Sequence, residues 1–160
     1  MKIAVLHGPN LNRLGKREPH IYGTATLAEL EALIRAAAKP LGARVVFFQS
    51  NHEGALIDQI HELADAGIDG LIVNFGAYSH TSIALFDALK SVSPLPAVEV
   101  HISDLKKRER FRHHSYSAAA CIGQVAGKGF PGYVEALQLL VKHLGPTRRA
   151  VARRATSPRA

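Results

Sequence analysis

The chain alternates short, unbroken apolar runs with longer stretches in which apolar residues recur every three or four positions. The first run, residues 3–6 (Ile-Ala-Val-Leu), reads as a buried strand. The first helical stretch opens on Thr26 with Glu29 three residues on, a capping-box pattern. Leu27, Leu30, Leu33, Ile34 and Ala37 lie on its inner side, and Pro40 and Gly42 stop it. Residues 43–49 read as a second strand. Ser50 with Glu53 repeats the capping-box pattern and opens a helix with Leu56, Ile57, Ile60, Leu63 and Ala64 on one face. Residues 71–73 (Leu-Ile-Val) form a third strand, and a Gly-containing turn, 74–82, leads into a helix with Ile83, Leu85, Phe86 and Leu89 inside. Beyond Pro94 and Pro96, residues 97–101 predict a fourth strand and 118–125 a fifth. A closing helix runs from about Pro131 to Gly145.

Five strands alternating with helices predict an α/β domain with a parallel sheet. Right-handed crossovers leave few topologies, of which a flavodoxin-like, three-layer α/β/α arrangement of five strands matches best. Ligands of such sheets bind beyond the carboxyl ends of the strands. Segments 8–23, 74–82 and 101–112 each follow a strand, so all three are expected on one rim. The first stands out by length: about sixteen residues separate strand from helix, where such connections take roughly 2–6. Its Gly and Pro residues and its specific polar content (Asn10, Asn12, Arg17, Tyr22) mark it as a site loop.

Composition narrows the class. The 160 residues suit one domain with a real core, and 47% apolar with 21% charged is ordinary for a soluble globular protein. No apolar run approaches the ~20 residues of a spanning helix, and no signal-peptide pattern opens the chain, so a cytoplasmic location without membrane contact is expected. The net charge of +7 is mostly a tail property: residues 146–160 hold five arginines and no acid, leaving +2 for residues 1–145. The expected organisation is therefore one domain over 1–145 and a basic, disordered tail over 146–160. No basic stripe interleaved with aromatics suggests a nucleic-acid module.

Several motifs are set aside on chemical grounds. Gly127-Lys128-Gly129-Phe130-Pro131-Gly132 matches G-x-G-x-x-G, but no strand follows to bring an acid to a ribose, and Pro131 suits a helix start. Nine histidines show no metal-ligand spacing, so no metal is expected. A G-x-S-x-G elbow is absent, and the single Cys121 reads as a small core residue within a strand-like run.

What remains on the rim is acid–base chemistry. Tyr22 lies five residues past Arg17; a phenol serves as a base only where cations stabilise its anion, and Arg17 and Arg108 could do so. His101 ends the fourth strand, and Glu99 two residues earlier shares its face, the arrangement of an oriented general acid. The turn at Ile102 and Ser103 offers backbone N–H groups to a carboxylate, with Arg112 as a bidentate clamp. Asn74 and His80 suit hydroxyl groups. A base, an acid, an anion clamp and hydroxyl binders describe a lyase for a small polyhydroxy acid that needs no cofactor.

The segments H-G-P-N-L-N-R-L-G-K-R-E-P-H-I-Y-G, N-F-G-A-Y-S-H-T-S and E-V-H-I-S-D-L-K-K-R-E-R-F-R-H-H-S-Y together closely resemble type II 3-dehydroquinate dehydratase, from residue 2 to about 144. The resemblance implies reversible dehydration of 3-dehydroquinate to 3-dehydroshikimate, in the shikimate pathway or in quinate breakdown, by a dodecamer built from trimers. It implies Tyr22 as the base at C2, Arg17 as its activator on a lid, and Asn10 as the group that steadies the enolate oxygen through a water. His101, oriented by Glu99, would protonate the departing C1 hydroxyl. Asn74, His80, Ile102, Ser103 and Arg112 match substrate-binding positions, and Asp87 one that serves the neighbouring subunit's site. His7, Phe86, Asp104 and Lys106 stand where the family commonly has Asn, Arg, Asn and His. A competing, non-enzymatic reading is a scaffold whose Arg-rich tail binds RNA or an acidic partner.

Overall fold

The structure, a computed structural model, describes residues 1–16 and 24–155, the last ten of these as backbone. Five strands form one sheet: β1 (Lys2–His7), β2 (Arg44–Gln49), β3 (Gly70–Asn74), β4 (Ala97–His101) and β5 (Gly123–Ala126). All neighbours pair in parallel in the order β2-β1-β3-β4-β5, the flavodoxin-like order expected. The helices are α1 (Leu27–Ala38), α2 (Glu53–Asp65), α3 (Ile83–Ser91) and α4 (Pro131–Ala155).

Side-chain alternation along β1 divides the core in two. Ile3 and Val5 pack with Leu30 and Ile34 of α1 and with Tyr133, Leu137 and Leu140 of α4. Ala4 and Leu6 point the other way, to Leu56 and Ile60 of α2 and Leu85 and Leu89 of α3. Helices therefore cover both faces, which is why β3 and β4 are buried throughout. That leaves their carboxyl ends as the place where polar side chains reach a cavity.

At the start of α1 both halves of the capping box form: Thr26 N–H donates to Glu29 Oε2 at 2.7 Å, and Glu29 N–H to Thr26 Oγ1 at 3.3 Å. The second expected box does not. The N-cap of α2 is His52, without a side-chain bond, while Ser50 Oγ accepts the His52 N–H and Ser50 N–H donates to His7 O. The backbone of residue 50 is thus engaged by β1, and the helix begins later. The fifth strand is also shorter than expected, because Ser117–Ala120 turns as a 3-10 helix before it. Cys121 consequently sits at a turn, not within a strand. The last helix continues to Ala155 rather than ending at Gly145. Ala and Arg are good helix formers, and they dominate the segment that prolongs it. Residues 156–160 lie outside the described residues.

The loop after β1 is pinned to the one after β3. Gly8 N–H donates to Asn74 O at 2.7 Å. A Cβ on Gly8 would lie 2.5 Å from the Phe75 carbonyl carbon, so only glycine permits this approach. No helix among the described residues is long and apolar enough to cross a membrane.

Candidate active site

A cavity of about 200 Å³ opens at the carboxyl end of the sheet. Its wall draws on all three rim segments: Asn10 with Leu11 and Leu14 after β1, Asn74 and His80 after β3, and His101, Ile102, Ser103, Arg108 and Arg112 after β4. Of the residues expected at the site, these eight polar and turn positions are brought together. Glu99 lies directly behind His101. Asp87 is exposed on α3 and does not line the cavity. Arg17 and Tyr22 lie outside the described residues.

Glu99 and His101 are both buried, with His101 Nε2 3.0 Å from Glu99 Oε2. The carboxylate accepts further bonds from Ser115 Oγ at 2.9 Å, from Gln124 Nε2 at 2.6 Å, and from Ser117 Oγ. Burial alone would push the Glu99 carboxyl up. The hydrogen bond and positive charge of His101, with the hydrogen bonds of Ser117 and Gln124, outweigh it and bring the carboxyl down to about 2. Glu99 is therefore a carboxylate at neutral pH. Ser115, Ser117 and Gln124 had not been singled out from the sequence, although Gln124 pairs with Glu99 across β4 and β5.

His80 is placed by the 3-10 turn Gly76–His80, one turn before α3 rather than at its start. Its Nδ1 lies 2.7 Å from the His114 carbonyl oxygen. A carbonyl only accepts, so Nδ1 carries the proton and Nε2 is left as an acceptor. Burial lowers the His80 pKa, and the cationic His101 and Arg112 add to this against the His114 bond and Glu99. The His80 and His101 rings stack with centroids 5.8 Å apart. Asn74 is fixed by Tyr133, another residue without a sequence signal: its Nδ2 donates to the buried phenol at 2.7 Å, while its Oδ1 accepts Gly76 N–H.

The cationic side is equally ordered. Glu109 accepts from Arg112 Nε at 2.9 Å and forms an ion pair with Arg108, whose Nε lies 3.3 Å away, and Arg108 Nη1 donates to Ser103 Oγ at 3.3 Å. The glycine motif set aside as a nucleotide loop has a bracing task here. Gly127 N–H donates to His101 O and Ser103 O, and Gly129 N–H to Ile102 O. Asp104 Oδ1 accepts Lys106 N–H and caps the turn Leu105–Lys107. Cys121 is half-buried, and burial, with the Glu99 charge, pushes its thiol well above the ordinary range.

The sequence pattern described as Dehydroquinase class II matches residues 1–141. The chain belongs to this family. It is 56% identical over 144 residues to a 3-dehydroquinate dehydratase of Nostoc sp., covering 90% of this chain and 97% of that protein. A 3-dehydroquinate dehydratase of Chelativorans sp. is likewise 56% identical over 142 residues, covering 89% and 97%. Among solved structures, the type II dehydroquinase of Butyrivibrio crossotus superposes with a TM-score of 0.86 at 48% identity, over 88% of this chain and 97% of that one. The family match thus spans every strand of the sheet and every rim segment that lines the cavity.

Proposed function

We propose that this chain is a hydro-lyase, a 3-dehydroquinate dehydratase of the shikimate pathway. The observation that carries the reading is the buried Glu99–His101 pair facing a cavity that also presents Arg108 and Arg112. Family membership supplies the substrate.

The chemistry follows from the product. A base removes a proton from C2, and the C–H electron pair becomes the enolate of the C3 ketone. Collapse of the enolate expels the C1 hydroxyl, which leaves as water once protonated, and forms the C1–C2 double bond conjugated with the ketone. His101, held by a carboxylate on one ring nitrogen, serves as the proton donor to the leaving hydroxyl. Tyr22 serves as the base with Arg17 as its activator. Asn10, at the cavity wall, steadies the enolate oxygen through a water, the place where charge develops. Arg112, with Ile102 and Ser103, takes the carboxylate, its guanidinium oriented through Nε by Glu109. His80 Nε2 and Asn74 take ring hydroxyls. None of these steps calls for a cofactor.

The assembly proposed is a dodecamer built from trimers, in the cytoplasm, in which Asp87 completes a neighbour's site. Its exposure on α3, away from its own cavity, supports that reading. Light scattering should return the mass of twelve subunits.

The decisive experiment adds 3-dehydroquinate and follows the ultraviolet absorbance of the conjugated enone. Absence of that signal from folded protein across pH 6–9 would overturn the assignment.

A further inference from the structure

Asn10 has a backbone conformation that needs support. At φ 66° and ψ 0° it is the only non-glycine residue with positive φ among the described residues. Asn tolerates the left-handed region better than most residues, yet a strained backbone at a cavity wall persists only where its surroundings hold it. The holding contact comes from across the fold: Asn10 N–H donates to Asn51 Oδ1 at 2.9 Å.

Asn51 is itself tied on two sides. Its Oδ1 also accepts from Gln49 Nε2 at 3.2 Å, and the same nitrogen donates to Gly8 O at 3.2 Å. The Tyr78 hydroxyl, from the turn that carries His80, donates to Asn51 O at 3.0 Å. Gln49, Asn51 and Tyr78 do not line the cavity, whereas Asn10 does. The Asn51 side chain is also not employed as a helix cap, since α2 begins after His52 with no side-chain bond. Its Oδ1 holds the loop after β1 directly through Asn10 N–H and indirectly through Gln49, which also donates to Gly8 O.

We propose that Asn51 is a positioning residue for the dehydration, an acceptor latch that holds Asn10 in the left-handed conformation from which it meets the enolate. The proposal rests on the assignment of Asn10 to enolate stabilisation. It specifies the chemistry required at residue 51: an oxygen acceptor, with no need for the amide N–H₂. Asn51 is exposed, so its removal takes nothing from the core.

Four variants test this by kcat, KM and thermal melting: Asn51→Leu, Asn51→Asp, Asn10→Ala and the double variant Asn10→Ala/Asn51→Leu. Small misplacements of catalytic groups cost up to ~10²-fold. Asn51→Leu is therefore expected to lose roughly 10-fold or more in kcat, with KM within about 3-fold and the melting temperature within a few degrees. Asn51→Asp keeps the acceptor and is expected within about 3-fold of the wild-type kcat. The double variant should be no slower than Asn10→Ala, because Asn51 acts through Asn10. A slow Asn10→Ala beside an Asn51→Leu of wild-type kcat would overturn the latch and leave the role of Asn10 standing. Additive losses in the double variant, or an Asn51→Asp as slow as Asn51→Leu, would also overturn it. An Asn10→Ala of wild-type kcat would instead remove the assignment on which the latch rests.

Discussion

Glu99 holds His101 through a 3.0 Å contact to Nε2 while its oxygens accept from Ser115, Ser117 and Gln124. Four donors around one buried carboxylate leave little room for any neutral replacement. In Glu99→Gln one oxygen becomes an N–H₂ facing groups that already donate. His101 loses its fixed orientation, and kcat is expected to fall roughly 10²-fold, within the range of general acid catalysis. The carboxyl also contributes to stability with a defined sign. Its folded value of about 2 lies below the ordinary 4.5, so the contribution is whole above pH 4.5 and is lost as pH falls towards 2. Its full size is about 3 kcal/mol. Urea denaturation of wild type and Glu99→Gln should therefore converge as pH drops through that window. Parallel curves from pH 6 to 2.5 would count against the charge assignment.

The proton-transfer roles predict a matched pair of defects. Tyr22→Phe removes only the phenolic oxygen, and His101→Ala removes the imidazole behind which Glu99 sits. Each is expected to lose at least ~10²-fold in kcat with much smaller changes in KM. Turnover by Tyr22→Phe near the wild-type rate would show that the base lies elsewhere.

The parts of this architecture that repeat a local rule were readable from residues alone. The unbroken apolar run of β1 and the period of α1 and α2 announced the sheet and its covering helices. Three long motifs announced the rim and the pair Glu99–His101. Contacts made over long sequence distances were not readable. Ser115 and Ser117 reach Glu99 from just before, and from the first residue of, the 3-10 turn Ser117–Ala120, ahead of the strand expected over 118–125. Tyr133 looks like one more core aromatic of α4 until its hydroxyl is seen on Asn74. Ser50 carries a capping signature with Glu53, yet its N–H is held by His7 O of β1 and α2 starts only after His52. A local capping signal loses where a tertiary partner engages the same residue first.

His7 gives a prediction about pH that does not involve catalysis. It ends β1 fully buried, stacked on Phe47 with centroids 6.1 Å apart and tilted against Tyr133 at 5.7 Å. Neither ring nitrogen has a hydrogen-bond partner among the described residues, and burial lowers its pKa from 6.5 to about 4. The folded chain therefore refuses a proton that the unfolded chain takes below 6.5. Stability should fall by about 3 kcal/mol as pH drops from 6.5 through 4. His7→Leu removes the titrating group and two unpaired nitrogens from an apolar site. It should be near wild type or more stable at pH 7, and should lack this acid dependence. Denaturant midpoints at pH 7, 5.5 and 4.5 decide it: equal slopes for both proteins would contradict the buried neutral imidazole.

Gly8 offers the sharpest test of how the fold sets the site. A Cβ there would sit 2.5 Å from both C and O of Phe75 and 2.7 Å from its Cα, all backbone atoms that no rotamer change can move. The loops after β1 and β3 must then part, stretching the 2.7 Å bond from Gly8 N–H to Asn74 O and carrying Asn10 away from His101. Gly8→Ala is expected to cost ~3 kcal/mol, the upper range for overpacking, and roughly 10²-fold in kcat. Gly54 supplies the control. It lies in α2 with nothing within 4 Å of an added Cβ, so Gly54→Ala should gain about 0.5–1 kcal/mol from helix propensity and leave kcat unchanged. Melting temperatures of the two variants should shift in opposite directions, and only Gly8→Ala should lose turnover. A Gly8→Ala enzyme as stable and fast as wild type would mean that the two loops are not held together by the contact described.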